Sequence, residues 1–288
     1  PLTSSAASDV YKRQDSSLIE LIEKLVFSNR RLLNLLMVNG ELSQIGDNDS
    51  GRLFYFYHDE DDPLKMDWLI NLIDHFFNFE NKNSIEVPNL KNDPIDLTNF
   101  SKVDHPLIKI FQNDFNLYTF PDFGIFIWRN NDGSEYFSVR CGQIGQNSVG
   151  GHAHYDQLSI ECFTEGKWIA RDPGTGTYTD DIKTRNEFRS MKFHWGPNAD
   201  IKFPKESEFD CFKLNYMEDG KLLFLDKNNF LGSAVFNGNK IYRKIVIENG
   251  NILISDFSND TNLNPYENWG ELNEGVKFKF SKGYKRIN

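Results

Sequence analysis

FGIFIWRNNDGSEYFSVRC, Phe123 to Cys141, is the stretch on which the fold turns. Two runs rich in β-branched and aromatic residues, Phe123 to Arg129 and Tyr136 to Cys141, flank Asn130-Asn131-Asp132-Gly133. Such side chains pack well on a pleated surface, and Asn, Asp and Gly tolerate the backbone angles of a tight reversal, so the stretch predicts a β-hairpin. The same grammar continues downstream. Strands are expected at Leu158 to Phe163, Trp168 to Arg171, Phe209 to Met217, Lys221 to Leu225, Ile241 to Glu248, Ile252 to Phe257 and Val276 to Phe280. Turns such as Glu165-Gly166, Asp219-Gly220 and Asn249-Gly250 separate them. Many short strands so punctuated predict an antiparallel β-sandwich, interrupted by a short helix around Asp180 to Met191.

Upstream the period changes. Leu18, Leu21, Ile22, Leu25, Val26, Leu32, Leu33 and Leu36 recur at helical spacing from Asp15 to Met37, with Ser16 or Ser17 as N-cap and Glu20 completing a capping box. A second helix is expected from Pro63 to Phe79 and a short third from Pro106 to Gln112, with a polar connection over Glu80 to Ser101. The fold class is therefore α+β: a helical segment over residues 15–115, then a sandwich over 116–288. Residues 1–14, PLTSSAASDVYKRQ, resemble sequencing-adaptor read-through and are set apart from the fold.

A chain of 288 residues can bury a sizeable core. Its net charge of −10 argues against a nucleic-acid partner, whose footprint would be basic. No apolar run reaches the roughly 20 residues of a membrane helix. Cys141, Cys162 and Cys211 are too sparse for a disulfide framework or a thiolate zinc knuckle and read as small hydrophobes.

Chemistry concentrates between Gly150 and His194. In GGHAHYD (Gly150 to Asp156), an extended backbone would aim His152, His154 and Asp156 to one face, continued by Leu158, Ile160 and Cys162. Two imidazoles and a carboxylate leading into a core suit a metal or acid/base site. Asp172 and His194 strengthen a metal reading, because zinc takes nitrogen and oxygen ligands from separate segments. A cupin would place a glutamate soon after the second histidine; Glu161 is too distant and of the opposite parity. Gly174-Thr175-Gly176 reads as a turn and not a phosphate cradle. Lys183, Arg185, Arg189 and Lys192 form either a solvated face or a receptor for a carboxylate or sulfate, with Arg185 and Arg189 the candidates for substrate. In QIGDNDSGR (Gln44 to Arg52), Asn48, Asp49 and Arg52 fit a capped loop or the lining of a sugar-binding cleft.

Together, IGDNDSGR (Ile45 to Arg52), GGHAHYDQLSIE (Gly150 to Glu161), ARDPGTGTYT (Ala170 to Thr179) and RNEFRSMKFH (Arg185 to His194) resemble the heparinase II/III-like polysaccharide lyases. The resemblance implies a truncated (α/α) toroid followed by the sandwich, with a cleft between. It implies His152 as a catalytic histidine and His154, Asp172 and His194 as ligands of a structural Zn2+. A catalytic tyrosine and a neutraliser of the uronate carboxylate belong to the family's toroid; here Tyr55, Tyr57 and Tyr178 are the candidates, and Tyr178 is carried forward. Where the family continues past its last histidine with Asn-Thr, this chain has Trp195-Gly196-Pro197. The implied activity is β-elimination on a uronate-containing polysaccharide or oligosaccharide, a glycosaminoglycan or alginate, by a bacterial periplasmic or secreted enzyme. Two other classes stay open: a glycan-binding scaffold without turnover, and a zinc-dependent hydrolase.

Overall fold

The computed structural model describes residues 16–48, 62, 64–76, 95–112, 114–203, 210–267, 269, 280–282 and 287. The chain divides into two units, Pro1–Leu42 with Leu64–Asn83, and Ser43–Pro63 with Ser84–Asn288.

The first unit contains helix α1 (Ser16–Leu36), strands β1 (Met37–Val38) and β2 (Glu41–Leu42) as a minimal hairpin, and helix α2 (Asp67–Phe76). Helix α1 forms where the apolar spacing predicted it, and its last turn is buried at Leu35 and Leu36. Leu21, Ile22 and Leu25 of the same stripe stay exposed. Helix α2 begins at Asp67 and not at Pro63; an acidic residue in the first turn complements the helix dipole. Arg30 forks onto Asp74, with Nη2 donating to Oδ2 at 2.7 Å, and so ties the two helices. The expected capping box lies outside the residues whose side chains are described.

The second unit is built mostly of antiparallel sheet, matching a β-sandwich. One sheet has the order β10 (Lys221–Leu225), β11 (Asn229–Phe236), β12 (Asn239–Glu248), β13 (Asn251–Ser258), β3 (Ser101–Asp104), with β4 (Ile108–Lys109) also on β13. The other runs β5 (Phe115–Phe120), β6 (Ile125–Asn130), β7 (Tyr136–Arg140), β8 (Ile160–Thr164), β9 (Lys167–Ala170). Period-two alternation explains β12: Ile241, Ile245 and Ile247 are buried while Lys240 and Lys244 are exposed. Phe126, Trp128 and Phe137 of one sheet and Phe230, Ile245 and Ile254 of the other share one buried cluster, with Phe126 and Phe230 rings 5.7 Å apart.

Several expectations are corrected. No helix forms over Pro106 to Gln112. Ile108 pairs with Ile252, and Ile108 and Ile110 are buried while Leu107 is exposed, so the apolar run has strand and not helix periodicity. Among the described residues of the second unit, sheet structure is already present at Ser101, before the expected 116, where β3 pairs with the outer edge of β13. Of the strand expected over Phe209 to Met217, the described residues from Asp210 on form none: Asp210 accepts the N–H groups of Phe212 and Lys213 at 2.8 and 2.9 Å, closing a turn, and leaves only isolated bridges at Lys213 and Met217. Strand β11, which the sequence reading passed over, pairs along its whole length with β12. The Val276 to Phe280 strand falls almost wholly outside the described residues.

One buried ionic cluster fastens sheet to loops. Arg243 is fully buried; its Nε and Nη2 donate to Asp256 at 2.7 Å each, and Nη1 donates to the carbonyls of Leu158 and Trp195 at 2.7 and 2.8 Å. His105 Nδ1 accepts the Tyr266 N–H, so its Nε2–H donates to Asp256 at 2.8 Å. Trp195 itself packs on Tyr266 and Trp269. The Trp195-Gly196 sequence thus anchors the end of the segment that carries His194.

Removing one partner of such a cluster strands the others without water. Arg243→Met is expected to cost about 3–5 kcal/mol in chemical unfolding at neutral pH. Burial alone would raise the Asp256 carboxyl, but the charge and hydrogen bonds of Arg243, with those of His105, bring it down to about 2. A depressed carboxylate stabilises the fold above its unfolded pKa near 4 and loses that contribution as pH falls toward 2, here about 2 kcal/mol. Stability measured from pH 5 to 2 should fall less steeply in Asp256→Asn than in the parent chain.

Candidate metal centre and the exposed histidine beside it

Three segments of the second unit converge. Asp172 follows β9 at the turn into Pro173-Gly174; its Oδ1 accepts the Gly174 N–H at 2.8 Å and its own N–H donates to Glu161 Oε1 at 3.1 Å. His194 follows helix α3 (Ile182–Phe188) and a 3-10 turn (Met191–Phe193), with its Nδ1–H donating to the Ser190 carbonyl at 2.9 Å. His154 lies in the irregular run from Gly150 to Ser159. Its Nδ1 is 3.3 Å from His194 Nε2, which is 3.2 Å from Asp172 Oδ2. The ligand atoms of His154, Asp172 and His194 all lie within 4.8 Å of one another, and each residue is at least nine-tenths buried.

This geometry fits a cation. The Ser190 contact puts the His194 proton on Nδ1, so its Nε2 lone pair faces a second imidazole nitrogen and a carboxylate oxygen. Three acceptors turned on one point away from water repel one another unless a positive charge sits between them. The donor set, two imidazoles and a carboxylate, is one that zinc accepts. Protonation answers the same need: burial lowers the His194 pKa, but the charge and hydrogen bond of Asp172 outweigh it and hold it above the ordinary histidine range. Burial likewise raises Asp172, and His194 more than offsets that. Asp156 is raised by its burial, and Glu161 is pushed up to about 7 by burial and by the Asp172 charge.

The expected common face of His152, His154 and Asp156 does not exist. His152 has φ +55° and Leu158 φ +63°, so the backbone turns and period-two parity is lost. The His152 N–H donates to the Phe212 carbonyl at 2.7 Å, and its ring stands against Phe212 at 5.6 Å. The outcome is a difference in exposure. The His152 side chain is 43% exposed while that of His154 is fully buried.

Asp47 links the two and was missed in sequence. Its Oδ2 is 3.1 Å from His152 Nδ1, its Oδ1 2.9 Å from His154 Nε2, and Arg185 forks onto both oxygens, Nη2 to Oδ2 at 2.8 Å. Burial raises Asp47, but hydrogen bonds and charge from His154 and Arg185 outweigh that and keep it below the usual carboxylate range. Gly46 makes the approach feasible: at φ +62°, a Cβ there would lie 2.6 Å from the His152 carbonyl oxygen. The only sequence signal was the turn-rich run Gln44 to Arg52, which does not single out one of its acids.

The remaining candidates separate by position. Arg185 and Arg189 are buried, not on a receptive surface: Arg185 serves Asp47, and both donate to the Cys211 carbonyl, at 3.1 and 3.2 Å. Asn48 is drawn to the turn after β9, its N–H donating to Thr175 Oγ1 and its Nδ2 to Gln44 Oε1. Tyr178 is half-buried over Arg185 and 5.3 Å from the Phe212 ring, on the His152 side. Asp49, Arg52, Tyr55 and Tyr57 lie outside the described residues. Glu161, set aside on parity, braces Asp172 and accepts the Ser43 hydroxyl.

Residues 114–194 match the family described as Heparinase II/III-like, C-terminal, and this stretch holds β5 to β9, His152, His154, Asp172 and His194. No curated protein matches the chain. Among solved structures, a crystal structure of heparinase III is 18% identical over 53% of this chain and 25% of its own, with a TM-score of 0.38. A heparinase III with methylated lysines and the heparan sulfate lyase HepC from Pedobacter heparinus are each 17% identical over 50% of this chain and 22% of theirs, with TM-scores of 0.37 and 0.34. The chain thus spans about a quarter or less of the length of these structures.

Proposed function

We propose that this chain is part of a polysaccharide lyase that cleaves a uronate-containing glycan by β-elimination, exported to the periplasm or beyond. One observation carries the reading: an exposed histidine, fixed at Nδ1 by a carboxylate, stands beside a buried three-ligand metal centre inside the heparinase II/III-like stretch. Elimination requires removal of the proton at C5 of the uronate and protonation of the departing O4. In this reading His152, whose side chain is 43% exposed, uses Nε2 for the first transfer, and Tyr178, whose ring packs on the same Phe212, is the candidate for the second. The charge developing on the uronate carboxylate needs a neutralising partner. Buried Arg185 and Arg189 are not that partner; they frame Asp47 and the Cys211 turn. Bound zinc supplies a fixed positive charge that ties three chain segments together.

Burial of all three ligands argues against the hydrolase, which needs a coordination position that substrate can reach. The zinc-loaded complete protein of which this chain is proposed to be part, incubated with a panel of uronate polymers, should yield oligosaccharides that absorb in the ultraviolet through a new C4–C5 double bond. New reducing ends without that absorbance would establish a hydrolase. Saturable binding without either product would establish a glycan-binding protein.

A further inference from the structure

We infer that Asp47 is a positioning residue that sets the tautomers of both histidines, so that one carboxylate prepares the metal ligand and the exposed proton acceptor together. The inference deepens the proposed lyase reading and rests on it for the role of His152, though not for that of His154.

A carboxylate only accepts hydrogen bonds, and its two oxygens here face ring nitrogens of two different histidines. Facing Oδ1 at 2.9 Å, His154 Nε2 must carry its proton, which leaves Nδ1 bare. That nitrogen is the one turned toward His194 and Asp172. Facing Oδ2 at 3.1 Å, His152 Nδ1 must carry its proton, which leaves Nε2 bare on a side chain that is 43% exposed. Arg185, fully buried, keeps the charge of Asp47 compensated. The backbone ties the two segments together: the Asp47 N–H donates to the His152 carbonyl at 3.1 Å. Without Asp47, Arg185 would be the nearest polar group to His154 Nε2, at 3.2 Å. A guanidinium only donates, so it would drive the proton to Nδ1 and close the metal ligand. A carboxylate behind a metal-bound imidazole is a recognised means of fixing ring orientation; here it is shared with a second imidazole that does not reach the cluster.

The chain has six histidines, so nitrogen NMR of isotope-labelled histidine reads the tautomers directly. In the zinc-loaded parent chain, His152 is expected protonated at Nδ1 and His154 at Nε2. Asp47→Asn keeps the shape but replaces one acceptor with a donor. It should reverse or mix at least one tautomer, weaken zinc binding about 10–100-fold, and cut kcat on a cleavable uronate polymer about 10²–10⁴-fold with KM little changed. If the variant does not fold, the parent spectrum still decides: the opposite tautomer at either ring overturns the inference. So does an Asp47→Asn chain with unchanged tautomers and zinc affinity. Because those readouts need no substrate, expected tautomers without any unsaturated product from the complete protein would sink the lyase reading and leave the role of Asp47 at His154 standing.

Discussion

His154→Ala is expected to empty the metal centre and lower stability together. The parent chain should hold about one zinc per molecule after dialysis, and the variant much less. His154 supplies one of only three ligands found together among the described residues, and its ring is fully buried. Alanine therefore removes both a ligand and the neutral group that separates Asp47 from Asp172. Since the unfolded chain has no assembled site, affinity for metal is stability of the fold. With free zinc at about 1,000 times its dissociation constant, the parent chain gains roughly 4 kcal/mol that the variant forgoes. Metal analysis and thermal unfolding with and without chelator measure both. A variant with full metal content, or a parent chain whose unfolding ignores chelator, would refute the ligand assignment.

His152→Ala should behave in the opposite way. Its side chain is 43% exposed and it is not one of the three grouped ligands, so zinc content and thermal midpoint should match the parent. Formation of unsaturated product should fall by about 10²–10⁴-fold, the scale of one acid/base group. Only a protein that releases such product can show this loss. If zinc leaves in parallel with activity, His152 is a ligand and the division between the two histidines is wrong. If activity persists, proton transfer belongs to another group, and Tyr178 is the next to replace.

These two variants lie two positions apart in an HAH motif, and local pattern does not separate their roles. Partial alternation of polar and apolar residues specified β12 and β13, whereas β6 and β7, buried on both faces, were legible from their β-branched and aromatic content around a turn-forming run. Helix α1 was legible for the corresponding reason at a period near 3.6. Strand β11 was harder, since Gly232, Ser233 and Ala234 carry little side-chain signal and the strand is held by ladders on both sides. The run Pro106 to Gln112 looked helical by composition, but the open edge of β13 captured it.

At the site, residue types announced the chemistry: His154, Asp172 and His194 offer ligands that zinc favours, and their meeting point was implied by resemblance. Parity then failed, because positive φ at His152 and Leu158 is a property of turns fixed by distant contacts, including the Phe212 and Arg140 carbonyls that accept those residues' N–H groups. Arg185 and Arg189 looked like surface cations because charge is usually solvated. Tertiary structure buried them and gave Arg185 a carboxylate 138 positions away. Asp47 was one acid among several in a turn-forming run. What made it central is its position between two histidines more than a hundred residues later, a relation that only the folded chain creates. Sequence determined α1, the β6–β7 hairpin, β12, β13 and the ligand types on offer, since these follow from local pattern and side-chain chemistry. The fold decided which ring faces metal and which faces solvent, since that follows from hydrogen bonds between segments that share no local pattern.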